Sequence, residues 1–460
     1  MPQRDPPDMM TAVEATAFKP KPSRPAPRGS TGVLGWLRGN LFYSRWSTVL
    51  TLAVGYAVAS WLLNFYGWAV TDAVWQADSR RECLDQSPHG ACWAGLRVWM
   101  GAYIYGRYPE TERWRVDVSF AVLVLWLLPL WLGRVRTRFM IGITAGMIFP
   151  FLGGYLLAGG ERGWFLQVMV PLAMVVFALN WLHVALCLWT QHSLASWLSR
   201  LGSAAQRSPR AQAVTLLSAC AVLTAIVAVL LSDWSVVGIR TNMWGGLFVT
   251  FIIACVGVVV SLPGGILLAL IRRSRMPFLR ACVIAYIELV RSVPLITVLF
   301  FAVTMTPLFL PPDMAPNKLV LVLVAVSLFS AAYMAEVVRG GLQAVPLGQL
   351  EAAQSIGLGY GHTMSLIILP QALRHMIPNI ASQYIGLFKD TTVVAIVGLY
   401  DFLLMLRVSG AHTVWIGLHI EPFVFGGAVY FSLCFAISRY SKSLEGRAGR
   451  VANVGIKPPH

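Results

Sequence analysis

Pro346–Pro370 reads PLGQLEAAQSIGLGYGHTMSLIILP, a short, polar and amphipathic stretch inside a chain made mostly of apolar runs. Pro346 suits a helix N-terminus, where its missing N–H would find no partner anyway. Ala352, Ala353 and Gly357 keep one face of the following helix small, so another surface could approach closely. Leu350, Ile356 and Tyr360 recur at roughly helical spacing and could supply the larger contacts. Gly357, Gly359 and Gly361 weaken the helix and favour a turn before the next segment. On shape alone, an ordinary amphipathic helix between two membrane spans would read the same way.

The surroundings are those of an integral membrane protein. Hydrophobic residues make up 57% of the chain and charged residues 12%, an all-α membrane composition and not a soluble one. Its 460 residues hold about ten transmembrane helices of roughly 20 residues with their loops. The net charge of +16 would suggest nucleic acid in a soluble protein. Here the positive-inside rule explains it more simply, and no nucleic-acid partner is expected. Seven cysteines without a CxxC pair and eight histidines without ligand spacing point to no metal. No Gly-Lys pair exists, so no P-loop, and no HExxH or nucleophile–base constellation lies within the spans. No catalytic residues are assigned. An ion-driven transporter would show inverted repeats with paired broken helices, and none is visible.

In chain order, residues 1–46 read as a disordered basic cytoplasmic tail, too long for a signal n-region. Residues 47–241 form an N-terminal extension, with spans at about 46–70, 118–133, 139–158, 164–190 and 212–231. Its loop 71–116 contains Cys83 and Cys92. With a cytoplasmic tail that loop faces the periplasm, where a disulfide could form; the sequence offers no geometry to decide it. From about 242 to 444 follow spans at 244–271, 280–303, 317–337, 376–398 and 415–437, then a cytoplasmic tail, 445–460. Counted from a cytoplasmic N-terminus, the 346–370 stretch, the arginine-rich connections and the C-terminus all fall inside.

Glu351, Ala352 and Ala353 are followed by Gly357 after three residues, then by Ile367, Leu369 and Pro370 after nine more. That spacing resembles the EAA loop of bacterial import-type ABC transporter permeases. YIELVRSVPLI (Tyr286–Ile296), AAYMAEVVRGGLQAVPLGQ (Ala331–Gln349), LPQALRHMIPNI (Leu369–Ile380) and LFKDTTVVAIVG (Leu387–Gly398) are similar to the polar amino-acid import subgroup. The chain departs in reading SQY before the KDT segment, where an Asn is usual, and KDTT where many members read KDTS. The extension, with YIYGRYPETERWRVDV (Tyr103–Val118), resembles the M-type permease of general L-amino-acid importers.

The resemblance implies a non-enzymatic importer subunit in the bacterial inner membrane, moving L-amino acids from periplasm to cytoplasm by alternating access. Its EAA loop would dock on a homodimer of a separate ATPase subunit that carries ATP and Mg, this chain binding no cofactor. The other implied partners are a second permease subunit and a periplasmic amino-acid-binding protein, besides membrane lipid.

Charges inside apolar spans are costly and usually paired or functional. Glu288 and Arg291, three apart, could pair on one helix face, whereas adjacent Lys389 and Asp390 each need a partner elsewhere. These four are candidates to line or gate the path of a zwitterionic substrate. They serve equally well as structural pairs that lock helices. Pro263, Pro294 and Pro378 could break or bend their spans.

Overall fold

The computed structural model describes residues 32–130, 138–160, 169–182, 237–311 and 316–453. The expected span at 212–231, the Gln191–Gln212 connection, most of the Arg134–Arg138 connection and the tail before residue 32 lie outside them.

By its internal contacts the chain divides into two units. The first holds the helix α1, Arg45–Tyr66, which winds on through a wider turn, Gly67–Thr71. Ser44 caps α1 by accepting from the Ser47 N–H, satisfying one of the four donors every helix start leaves open. None of the residues of Arg45–Tyr66 is buried, and the 27-residue run Arg45–Thr71 is apolar enough to cross a bilayer.

The second unit begins with a loop closed by a Cys83–Cys92 disulfide, Cα atoms 5.9 Å apart. It leads into α2 (Trp93–Tyr105) and α3 (Arg113–Leu127). Together α3, α4 (Arg138–Ala158) and α5 (Met169–Leu182) enclose Trp126, whose ring meets Phe149 and Phe177 edge-on. Arg115 on α3 is wholly buried and donates to the Leu156 carbonyl at 2.6 Å and the Val237 carbonyl at 2.9 Å.

The C-terminal half is built on two 27-residue helices, α6 (Gly246–Arg272) and α9 (Lys318–Ala344). Small residues let their backbones approach, the usual packing device where lipid removes any hydrophobic drive. A Cβ on Gly264 would stand 3.1 Å from Ala331 Cβ, and one on Gly257 would stand 3.4 Å from Val326 of α9 and 2.9 Å from Leu387 further along the chain. Between them run α7 (Pro277–Ser292) and α8 (Leu295–Phe300), the latter widening over Phe301–Met305 and then tightening over Thr306–Phe309. The expected span 280–303 is not straight: the two pieces bend by 107°. Pro294 removes a backbone donor and holds Val293 extended, at φ −109° and ψ 135°. Pro263 leaves α6 unbroken, and Pro378 sits in the first turn of a helix, where proline costs nothing.

After α9 come α10 (Leu347–Ser355), a widened turn Thr363–Ile368, α11 (Leu369–His375) and α12 (Ile377–Asp390). The winding tightens over Thr391–Val397, and Gly398 ends it in the left-handed region at φ +76°. Tyr400 and Asp401 then bridge to Gly245 and Gly246. Two helices follow, α13 (Phe402–Ala411) and α14 (Ile420–Asn453). Among the described residues four helices are individually long and apolar enough to span: α1 with its extension, α6, α9 and α14 as far as Glu445. The bent α7–α8 pair raises this to as many as five.

Candidate functional site

The Pro346–Pro370 stretch folds as a capped helix on a packed base. Pro346 precedes α10, and the chain leaves it through Gly357 at φ +78°. The Leu358 N–H donates to the Ala353 carbonyl at 3.1 Å and the Gly357 N–H to Gln354 at 2.9 Å. This paired pattern is the Schellman ending, whose left-handed residue is normally glycine. No described residue stands within 4 Å of a Cβ on Gly357. Its lack of a side chain serves the backbone turn and not close approach.

The small face splits in two. Ala353 is buried, whereas Glu351, Ala352 and Gly357 are exposed. Met364, Ile368 and Ala372 fix the base against Val338, Leu342 and Val345 of the α9 end, with Leu350, Ile367 and Leu369 partly buried beside them. Pro370 is exposed. Four large apolar side chains stand outward among the exposed polar ones: Leu347 and Ile356 are each 73% exposed, and Tyr360 and Leu366 nearly as much.

At the same end of α6 and α9 lies an ionic cluster. Glu336 of α9 is paired with Arg272, the last residue of α6, and with Arg339 at 2.7 Å and Arg291 of α7 at 3.7 Å. Arg272 also reaches Glu288 at 3.3 Å. Glu288 and Arg291 thus take their partners from other helices and not from each other. Three guanidiniums share two carboxylates, and Glu336 is the hub. Sequence reading passed over it, although Glu336 and Arg339 at i,i+3 in an apolar helix were the available signal.

Lys389 and Asp390 are exposed at the end of α12 and make no ion pair with any described residue. No ion pair links them to Glu288 or Arg291. Thr391 and Thr392 instead tie the following turn down, donating to the Phe388 and Lys389 carbonyls. Beyond it Asp401 is fully buried and caps α13, accepting from Leu403 and Leu404 at 3.1 Å each. Burial pushes its carboxyl up to about 6, against the pull of those bonds. The hydroxyl of Thr250 accepts from the Phe402 N–H at 3.1 Å, so α6 takes part in holding the same corner.

The chain has known counterparts. The family model for binding-protein-dependent transport system inner membrane components matches residues 261–450. The inner membrane amino-acid ABC transporter permease protein YhdY of Escherichia coli is 35% identical over 93% of this chain and 96% of its own length. The glutamate/glutamine/aspartate/asparagine transport system permease protein BztC of Rhodobacter capsulatus is 37% identical over 93% and 96%. A glutamate/aspartate import permease of another Escherichia coli strain is 34% identical, but 97% of it spans only 47% of this chain. With relatives of this identity along nearly the whole length, the chain belongs to the amino-acid ABC transporter permeases, multi-pass inner-membrane components of binding-protein-dependent transport systems.

Proposed function

We propose that this permease carries L-amino acids from periplasm to cytoplasm by alternating access, driven by ATP hydrolysis in a separate subunit. The carrying observation is the α10 turn. Its base is packed into the membrane helices, while Leu347, Ile356, Tyr360 and Leu366 stand outward, exposed and outside the buried clusters of the described residues. A surface of that kind, beside the exposed Glu351, Ala352 and Gly357, suits a partner that must push on the helix ends. In this reading the ATPase homodimer, holding ATP and Mg, seats on α10, with Ile367, Leu369 and Pro370 as the stem behind it.

The substrate class follows the relatives, whose names specify amino acids and, in one, glutamate, glutamine, aspartate and asparagine. A second permease chain and a periplasmic binding protein complete the assembly. Residues 242–444 act as the importer domain, which the much shorter relative supports, and 47–241 as an added extension. Both termini are cytoplasmic, on the side of α10. Exposed Lys389 and Asp390 offer both charge signs to a zwitterion, whereas Glu288 and Arg291 act with the Glu336 cluster.

Ala352→Arg tests the docking. Ala352 is exposed, so the change leaves folding alone, and purified complexes should lose the ATPase subunit and radiolabelled amino-acid uptake together. Normal uptake with the ATPase retained would remove α10 as the docking element.

A further inference from the structure

The disulfide-closed loop and the α2 that follows it, residues 74–88 and 92–108 together, lie at the other end of α6 from the Glu336 cluster. A 27-residue helix separates them by about 40 Å at 1.5 Å per residue. Gly106 pairs with Trp244, and the backbones touch so closely that a Cβ on Gly106 would overlap Gly245. Gly245 and Gly246 in turn bridge to Tyr400 and Asp401. One end of the loop is therefore built into the corner where α6 begins and α13 is capped.

The other end is held by one carboxylate. Glu421, in the first turn of α14, is 2% exposed. Its Oε1 accepts from the Cys92 N–H at 2.9 Å and pairs with Arg80 at 3.1 Å. The Arg80 N–H donates to the Val414 carbonyl at 3.0 Å. Gly95 leaves room for Leu418 and Trp415, which a Cβ there would meet at 2.6 and 2.8 Å. Trp99 meets His412 edge-on at 5.4 Å. The disulfide fixes Cys92, and so aims its N–H.

A buried ion pair is a poor source of net stability, and an apolar contact would hold the loop as firmly. A pair of this kind can fix register instead. We propose that Glu421 is a positioning residue for transport, locking the loop to the first turn of α14. The loop and the adjoining ends of α6, α13 and α14 then move as a single gate. The inference rests on the importer reading for the side of the membrane that the gate faces.

The test uses the complete complex in proteoliposomes, with its binding protein and amino-acid substrate. ATPase activity is read without and with the loaded binding protein. Glu421→Ala should cut the stimulated rate and uptake by on the order of tenfold or more, the scale for truncating one partner of a buried charged pair. Basal ATPase should stay unchanged. Glu421→Gln, which keeps an acceptor for the Cys92 N–H, should fall between the two. Reducing the disulfide in the assembled wild type should also cost stimulation and spare basal activity, which covers the case in which a variant fails to assemble. Unchanged stimulation in Glu421→Ala, or basal and stimulated rates falling in parallel, would overturn the proposal alone. A wild-type complex with no ATPase activity would overturn the importer reading and the proposal with it.

Discussion

Gly265 of α6 lies directly on Met334 of α9: a methyl group added to Gly265 would come 2.7 Å from Met334 Cβ and 2.9 Å from the Ala335 backbone nitrogen. Backbone cannot move aside as a flexible side-chain end can. Gly265→Val should therefore cost about 1–3 kcal/mol or more through overpacking. A lowered Tm in detergent and reduced membrane yield would show it. Gly386→Ala, inside α12 and with no described residue within 4 Å of the added methyl, should lower neither, since alanine is the better helix former.

Gly357→Asn should preserve ATPase association, whereas Gly357→Val should weaken it. At φ +78° asparagine is tolerated and a β-branched residue is strained, at about 1–2 kcal/mol for the left-handed conformation. Co-purification of the ATPase with each variant checks the order. Equal loss in both would mean that the side chain's bulk matters and not the backbone turn.

Glu336→Ala should harm the protein more than Arg339→Ala, because it leaves three guanidiniums with one carboxylate. Charged hydrogen bonds are worth about 1.5–3 kcal/mol, and partial exposure of Arg291 and Arg339 at 36% places the loss toward the lower end. A double-mutant cycle on Arg272 and Glu336 should give a coupling energy clearly above zero, read from thermal unfolding in detergent.

Asp401 makes stability depend on pH. Its carboxyl stands at about 6 in the fold, above an ordinary 3.8, so the folded state holds the proton more tightly than the unfolded chain. The contribution is complete below about pH 4 and is lost as pH rises through about 6. Asp401→Asn still accepts from Leu403 and Leu404, and should flatten the Tm profile between about pH 4 and pH 7.

How much of this was legible depended on how local each cause is. The α10 turn was readable because a proline, two alanines and a glycine act within a dozen positions. What glycine does at 357 was not, since a left-handed turn and a close contact call for the same residue. Pro263 and Pro294 look alike in sequence, yet only the second coincides with a bend. Proline removes a bond in both, and neighbours decide whether the helix runs on. Glu288 and Arg291 have the spacing of a helical pair, but spacing cannot reveal that Arg272 and Glu336 offer stronger partners across the interface. Glu421 had no local signal at all: its partners Arg80 and Cys92 lie 341 and 329 residues away.

The unbroken course of α6 through Pro263 has a mechanical consequence. One end of that helix is clasped by Tyr103, Gly106 and Asp401, and the other carries Arg272 into the grip of Glu336. A rod of about 40 Å that tilts by about 10° swings its far end through roughly 7 Å. No relay of side chains is needed along its length. In a transport cycle such a helix would act as a lever, and the contacts at its tips would decide where its fulcrum lies.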